Sequence, residues 1–129
     1  MVIFACVHNS GRSQMAAAFY NQIAGGGATS AGTQPGTRVH PEVVEAMKEV
    51  GIDLSEAKPR LLTNELARDA HLLITLGCGE ACPYLPELKR MDWPMPDPKN
   101  KSLEEVRAIR DEIKRRVVLL INSEQFKTV

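Results

Sequence analysis

Cys6-Val7-His8-Asn9-Ser10-Gly11-Arg12-Ser13 sets a thiol and a guanidinium at the two ends of a C-x5-R-S segment. A loop of this length, curled onto a helix start, points successive backbone N–H groups inward, and the helix dipole adds partial positive charge. Arg12 adds a planar fork that suits two oxygens of a tetrahedral oxyanion. The same field favours the thiolate form of Cys6, and Ser13 has a hydroxyl to donate to it. Asn9 and Gly11 are residue types that tolerate the left-handed backbone such a loop needs. His8 reads as a loop side chain pointing outward. The chemistry is a sulfur nucleophile facing a bound oxyanion. No G-x-x-x-x-G-K-[ST] occurs, so this is not an ATP-binding loop.

Two further segments carry chemistry. Gly77-Cys78-Gly79-Glu80-Ala81-Cys82-Pro83 is a C-x3-C loop with two glycines and a following proline. A second thiolate on such a loop can attack an oxidised sulfur and close a disulfide. A closed tetrahedral metal site is a poor fit, because three cysteines and three histidines scattered over several loops would have to supply it. We therefore expect no metal. In Trp93-Pro94-Met95-Pro96-Asp97-Pro98 the prolines hold the Asp97 backbone extended. A carboxyl held over an oxyanion can protonate a leaving oxygen.

Strands and helices must bring these loops together. Val2–Ala5 is a continuous apolar run, as a strand covered on both faces requires. Arg12–Ala24 reads as a helix with Met15, Phe19 and Ile23 on one stripe, ended by Gly25–Gly27. Ala28–Ala31 reads as a second strand. Pro41 opens a helix carrying Val43, Val44, Met47 and Val50, stopped by Gly51. Thr63–Arg68 reads as a short helix, Leu72–Leu76 as the clearest buried strand and Met91–Trp93 as a fourth strand. Ser102 and Glu105 form a capping box ahead of a stripe of Leu103, Val106, Ile109, Ile113, Val117 and Leu120. This alternation predicts an α/β fold: a small four-stranded parallel sheet with helices on both faces. Ligands in such sheets bind beyond the carboxyl ends of the strands, where the three chemical loops fall.

Composition narrows the class. The 129 residues are 43% hydrophobic and 25% charged, and sixteen basic side chains balance sixteen acidic ones. We expect a single domain over 1–129, with no nucleic-acid partner because no basic surplus appears. Lys99–Arg116 is locally basic, which we read as a solvated helix face with internal ion pairs. No apolar run reaches a membrane span, and the start has no basic leader, so a cytoplasmic protein is expected. In the cytosol, cysteines are more often free or catalytic than structural.

CVHNSGRSQMAAAF resembles the active-site loop of the low-molecular-weight protein tyrosine phosphatases, and more specifically that of their arsenate reductase branch. SAGTQPGTRVHPEVVEAMKEVGID, LITLGCGEACP and DWPMPDP are similar to later segments of that branch, so the resemblance covers nearly all of 1–122. It implies the same four-stranded fold. It implies Cys6 as nucleophile, Val7–Ser13 as the oxyanion-binding loop with Arg12 as its cation, and Asp97 as general acid. It also implies a resolving thiol from the Cys78/Cys82 region. The C-x3-C pair is closer together than the corresponding pair in the thioredoxin-coupled pattern, and no cysteine follows Cys82. The choice between Cys78 and Cys82 therefore stays open, as does the reductant: thioredoxin, glutaredoxin or a low-molecular-weight thiol. No bound cofactor is implied, and a monomer is expected.

The reaction implied is reduction of arsenate to arsenite. Phosphate has nearly the same shape and charge, so a phosphatase acting on phosphotyrosine or a small phosphomonoester is the alternative. Lys99-Asn100-Lys101 stand where phosphotyrosine-specific members usually carry aromatics, which weighs against that substrate. A non-catalytic thiol sensor, or an arsenite- or metal-binding module, ranks last because it leaves the Arg12 loop unexplained.

Overall fold

Every residue of β1 (Val2–Cys6, VIFAC) is buried, and the strand pairs on both sides. The computed structural model describes residues 1–77 and 88–127, with side chains through residue 123. Four parallel strands run in the order β2-β1-β3-β4, with β2 at Ala28–Gly32, β3 at Leu72–Thr75 and β4 at Lys89–Asp92. The register sets Cys6 beside Gly32, Ala5 beside Thr75 and Thr75 beside Asp92. The carboxyl ends of all four strands therefore share one rim.

Alternation along β1 and β3 divides the core between the two faces. Val2, Phe4, Leu72 and Ile74 join the larger cluster with α1 (Arg12–Ala24), α2 (Pro41–Lys48) and α4 (Leu103–Lys127). Ile3, Ala5 and Leu73 pack with Leu62, Leu66 and Ala67 around α3 (Asn64–Arg68). Helices thus cover both faces, unevenly. Among the described residues no helix is long and apolar enough to cross a membrane.

Most elements lie where the sequence put them. α1 matches its expected bounds, and the Thr63 hydroxyl caps α3 by accepting from the Leu66 N–H at 3.1 Å. At α4 the Ser102 hydroxyl accepts from the Glu105 N–H at 3.2 Å. Its Val106, Ile109, Ile113, Val117 and Leu120 are buried as the stripe predicts.

Two expectations are corrected. Ile23 is 43% exposed. Each step of four residues turns a helix about 40° past one full turn, so by Ile23 the stripe has rotated off the core. Ala16 and Tyr20 fill the space instead. The fourth strand begins at Lys89, earlier than Met91. It is a charged edge strand, without the apolar run that signals a covered one. Trp93 follows it, its N–H donating to Thr75 O at 2.7 Å and its ring tilted against Phe4 with centroids 5.9 Å apart.

Candidate active site

Residues 7–11 link the end of β1 to the start of α1. The carbonyls of Val7, His8 and Ser10 accept from the backbone N–H groups of Gln34, Gly36 and His40 at 2.8–2.9 Å. Asn9 O accepts from Gln14 Nε2 at 3.2 Å. Within a trans peptide plane the C=O and the following N–H point opposite ways. Carbonyls drawn outward therefore turn the N–H groups of residues 8–11 toward the inside of the loop. α1 adds its own first-turn amides, since its N-cap Gly11 supplies no side-chain cap. An inward-facing row of backbone N–H groups is the geometry that an anion nest requires.

Close packing fixes several residue types here. A Cβ on Gly32, at the end of β2, would lie 2.5 Å from Val7 O and 3.0 Å from Asn9 N. Asn9 takes the left-handed conformation with φ 51° and is fully buried. Gly11 does not: its φ is −152°. Its expected left-handed role is replaced by a steric one, because a Cβ there would lie 2.6 Å from Pro98 Cγ in the Trp93–Pro98 segment that carries Asp97, the acid loop.

Cys6 is 3% exposed, and its Sγ lies 2.9 Å from Ser13 Oγ. Asn9 Nδ2 donates to the same Oγ at 2.7 Å. Arg12 is buried, and its Nη1 donates to Met95 O at 3.0 Å and Gly77 O at 3.3 Å. Nη2 stands 3.9 Å from Asp97 Oδ2. Arg12 therefore ties the oxyanion loop to the chain leaving β3 and to the acid loop, and among the described residues no hydrogen bond occupies its Nε–Nη2 edge, the edge that suits a bidentate ligand.

The Asp97 side chain is 46% exposed, and its Oδ1 accepts from the Lys99 N–H at 2.9 Å. His8 is engaged with the loop after β2, its Nδ1 3.0 Å from Gln34 O. At the end of β3 the Thr75 hydroxyl donates to the Asp92 carboxylate. That bond and Arg90 hold the Asp92 carboxyl below its usual range.

The structure thus brings Cys6 to Ser13 and Arg12 to Asp97. Cys78 and Cys82 lie outside the described residues. Sequence reasoning missed the Met95 and Gly77 carbonyls, which carry no residue-type signal. The need for glycine at 77 is also tertiary: φ is +74°, and a Cβ there would run into the Arg12 guanidinium and lie 2.6 Å from Met95 O. It also missed Gln14, whose position directly after Arg12-Ser13 was the available clue.

A family model described as low molecular weight phosphotyrosine protein phosphatase matches residues 1–128. An arsenate reductase of Staphylococcus aureus is 40% identical over 119 residues, covering 88% of this chain and 89% of that protein. A solved arsenate reductase in a phosphate-binding state is 39% identical with TM-score 0.83, covering 95% of this chain and 96% of the other. A thioredoxin-dependent arsenate reductase of Corynebacterium glutamicum is 37% identical with TM-score 0.80 over 98% of this chain, which spans 62% of that longer protein.

Proposed function

We infer the function from one premise: the chain belongs to the low molecular weight phosphotyrosine protein phosphatase family, in its arsenate reductase branch. It is an arsenate reductase, converting arsenate to arsenite with a thiolate nucleophile. The observation that carries this reading is the Cys6 sulfur, 2.9 Å from the Ser13 hydroxyl, at the mouth of a loop whose carbonyls are turned away from it.

In the proposed reaction, arsenate sits in the Val7–Ser13 loop with its oxygens held by backbone N–H groups and the free edge of Arg12. The Cys6 thiolate attacks arsenic and forms an S–As(V) bond, while Asp97 protonates the departing oxygen, which leaves as water. A second thiolate, from Cys82 or Cys78, attacks the Cys6 sulfur. The S–As electron pair passes to arsenic, which leaves as arsenite, and a disulfide remains. Two thiols supply the two electrons. An external thiol reductant resets the protein. The likeness to a thioredoxin-dependent enzyme supports thioredoxin in this role, with glutaredoxin or a small thiol as the alternatives. The proposal places this chemistry in one domain, in the cytoplasm.

The phosphatase reading uses the same Cys6, Arg12 and Asp97, through a phosphocysteine. Lys99-Asn100-Lys101 after Pro98 supply no aromatic wall for a substrate ring, so this reading is the weaker.

The test is single-turnover arsenate reduction by the pre-reduced chain without added thiol. One arsenite per chain with two thiols lost is the expected result, and Cys78→Ser and Cys82→Ser then identify the resolving residue. Arsenite only after a small thiol is added would move the second sulfur outside the chain. No arsenite in either case, with phosphomonoester hydrolysis intact, overturns the reductase reading.

A further inference from the structure

The contacts that aim the Ser13 hydroxyl at sulfur begin outside the oxyanion loop. Asn9 Oδ1 accepts from the Arg60 backbone N–H at 3.0 Å and from Gln14 Nε2 at 3.1 Å. A backbone N–H can only donate, so this contact fixes which atom of the Asn9 amide is oxygen. Nδ2 is thereby turned to Ser13 Oγ. A hydroxyl has one proton. With Oγ accepting from Asn9, that proton is left for Cys6 Sγ. Donation therefore runs one way, from the 60 and 14 N–H groups through Asn9 and Ser13 to the sulfur, and hydrogen bonds in series polarise one another.

Gln14 is the one mutable side chain at the head of this series, since the Arg60 donor is backbone. It is buried, and the two protons of its Nε2 are shared among Asn9 Oδ1 and, at 3.2 Å each, Asn9 O and Lys58 O. It thus holds both ends of Asn9, a residue kept in the left-handed conformation, and ties the loop to residues 58–60. We propose that Gln14 is a positioning residue for the nucleophile: by fixing the Asn9 amide, it makes Ser13 a donor to Cys6. The proposal rests on Cys6 being the nucleophile of the function given above.

The test is alkylation of Cys6 by iodoacetamide across the titration range of a thiol, in a chain with Cys78 and Cys82 both changed to serine. This readout uses no arsenate, so it stands or falls separately from the reductase activity. The charged groups around the loop are left in place: Arg12 on α1, Asp97 in the acid loop and His8 within the loop. Gln14→Met keeps the length and removes the donor. We expect the profile to move to higher pH and alkylation at neutral pH to fall about three- to tenfold, the size of one lost buried hydrogen bond. In a Ser13→Ala background Gln14→Met adds nothing further, because the series is already broken. An unmoved profile in folded Gln14→Met, or effects that simply add to those of Ser13→Ala, overturns the proposal. If the methionine variant does not fold by circular dichroism, Gln14→Glu is read the same way and its profile must also move upward. Failure of both to fold makes Gln14 a structural residue and overturns the proposal as well.

Discussion

Two regions of this molecule are dense in polar contacts, and they differ in what surrounds them. The oxyanion loop holds Cys6, Asn9, Arg12 and Ser13 in the interior, with Cys6 and Ser13 bonded to each other and Asn9 and Arg12 bonded to residues elsewhere in the chain. The clamp between α2 and α4 is open to solvent on the Glu49 and Arg107 side, where Glu49 accepts from Arg107 Nη2 at 2.5 Å, and only its Arg110, whose Nη1 donates to Glu49 at 2.9 Å, is buried. Further along α4, Glu112 pairs with Arg115 and Arg116 at 2.6 and 3.0 Å. The surface bonds are as short as the buried ones. Exposed ion pairs contribute little because water screens them and competes for both partners. A buried group that loses its partner bears its full desolvation cost. Contact length therefore says little here, and burial sets the expected effect.

The largest test of that contrast is Arg12→Lys. The charge survives, but the fork that spans Met95 O, Gly77 O and the Asp97 side does not. Single-turnover arsenite release should fall about 100-fold, as expected when a bidentate site loses its planar donor. A loss of only a few-fold would show that charge alone suffices and would break the comparison.

Gly77→Ala comes next. The positive φ and the close approach of Arg12 and Met95 make it a substitution in a strained position, costing about 1–3 kcal/mol in denaturant unfolding. Unchanged stability would mean that this rim is softer than the buried contacts imply.

Asp97→Asn sharpens the comparison within the site, because Asp97 is exposed while its neighbours are buried. It should slow arsenite release by about tenfold, less than the roughly hundredfold at which general-acid contributions usually begin, and leave thermal unfolding nearly unmoved. A large stability change would assign Asp97 to the Arg12 framework instead.

The smallest effect belongs to Glu49→Gln. Its hydrogen bond to Arg107, with Arg110 adding, lowers the Glu49 pKa from 4.5 to about 2. A lowered carboxylate pKa means stability that is present above 4.5 and is lost as pH falls toward 2. The variant should therefore melt slightly below the parent at neutral pH, with the gap closing through that window. A gap that persisted at the acid end would show that the clamp acts by packing rather than by charge.

Much of the site was legible in residue types. C-x5-R-S between a buried strand and a helix named the loop, and Asn9 adopts the conformation its type allows. Gly11 shows the limit. The sequence marks it as conformationally free, but the structure needs it small, because Pro98 from a distant loop packs against it. β4 shows another limit: an edge strand need not be apolar, so Lys89 and Arg90 gave no periodic signal.

By itself, then, the sequence determined the elements and the strand-loop-helix connection that carries Cys6 and Arg12, the two residues proposed here as nucleophile and cation. These follow from local rules: periodicity, turn residues and the geometry of a helix start. Only the tertiary structure decided what Arg12 holds, which atom of Asn9 faces Ser13, and why glycine stands at 11, 32 and 77. Those contacts join residues far apart in the chain, often through backbone carbonyls and N–H groups that every residue type shares, so no pattern of side chains announces them.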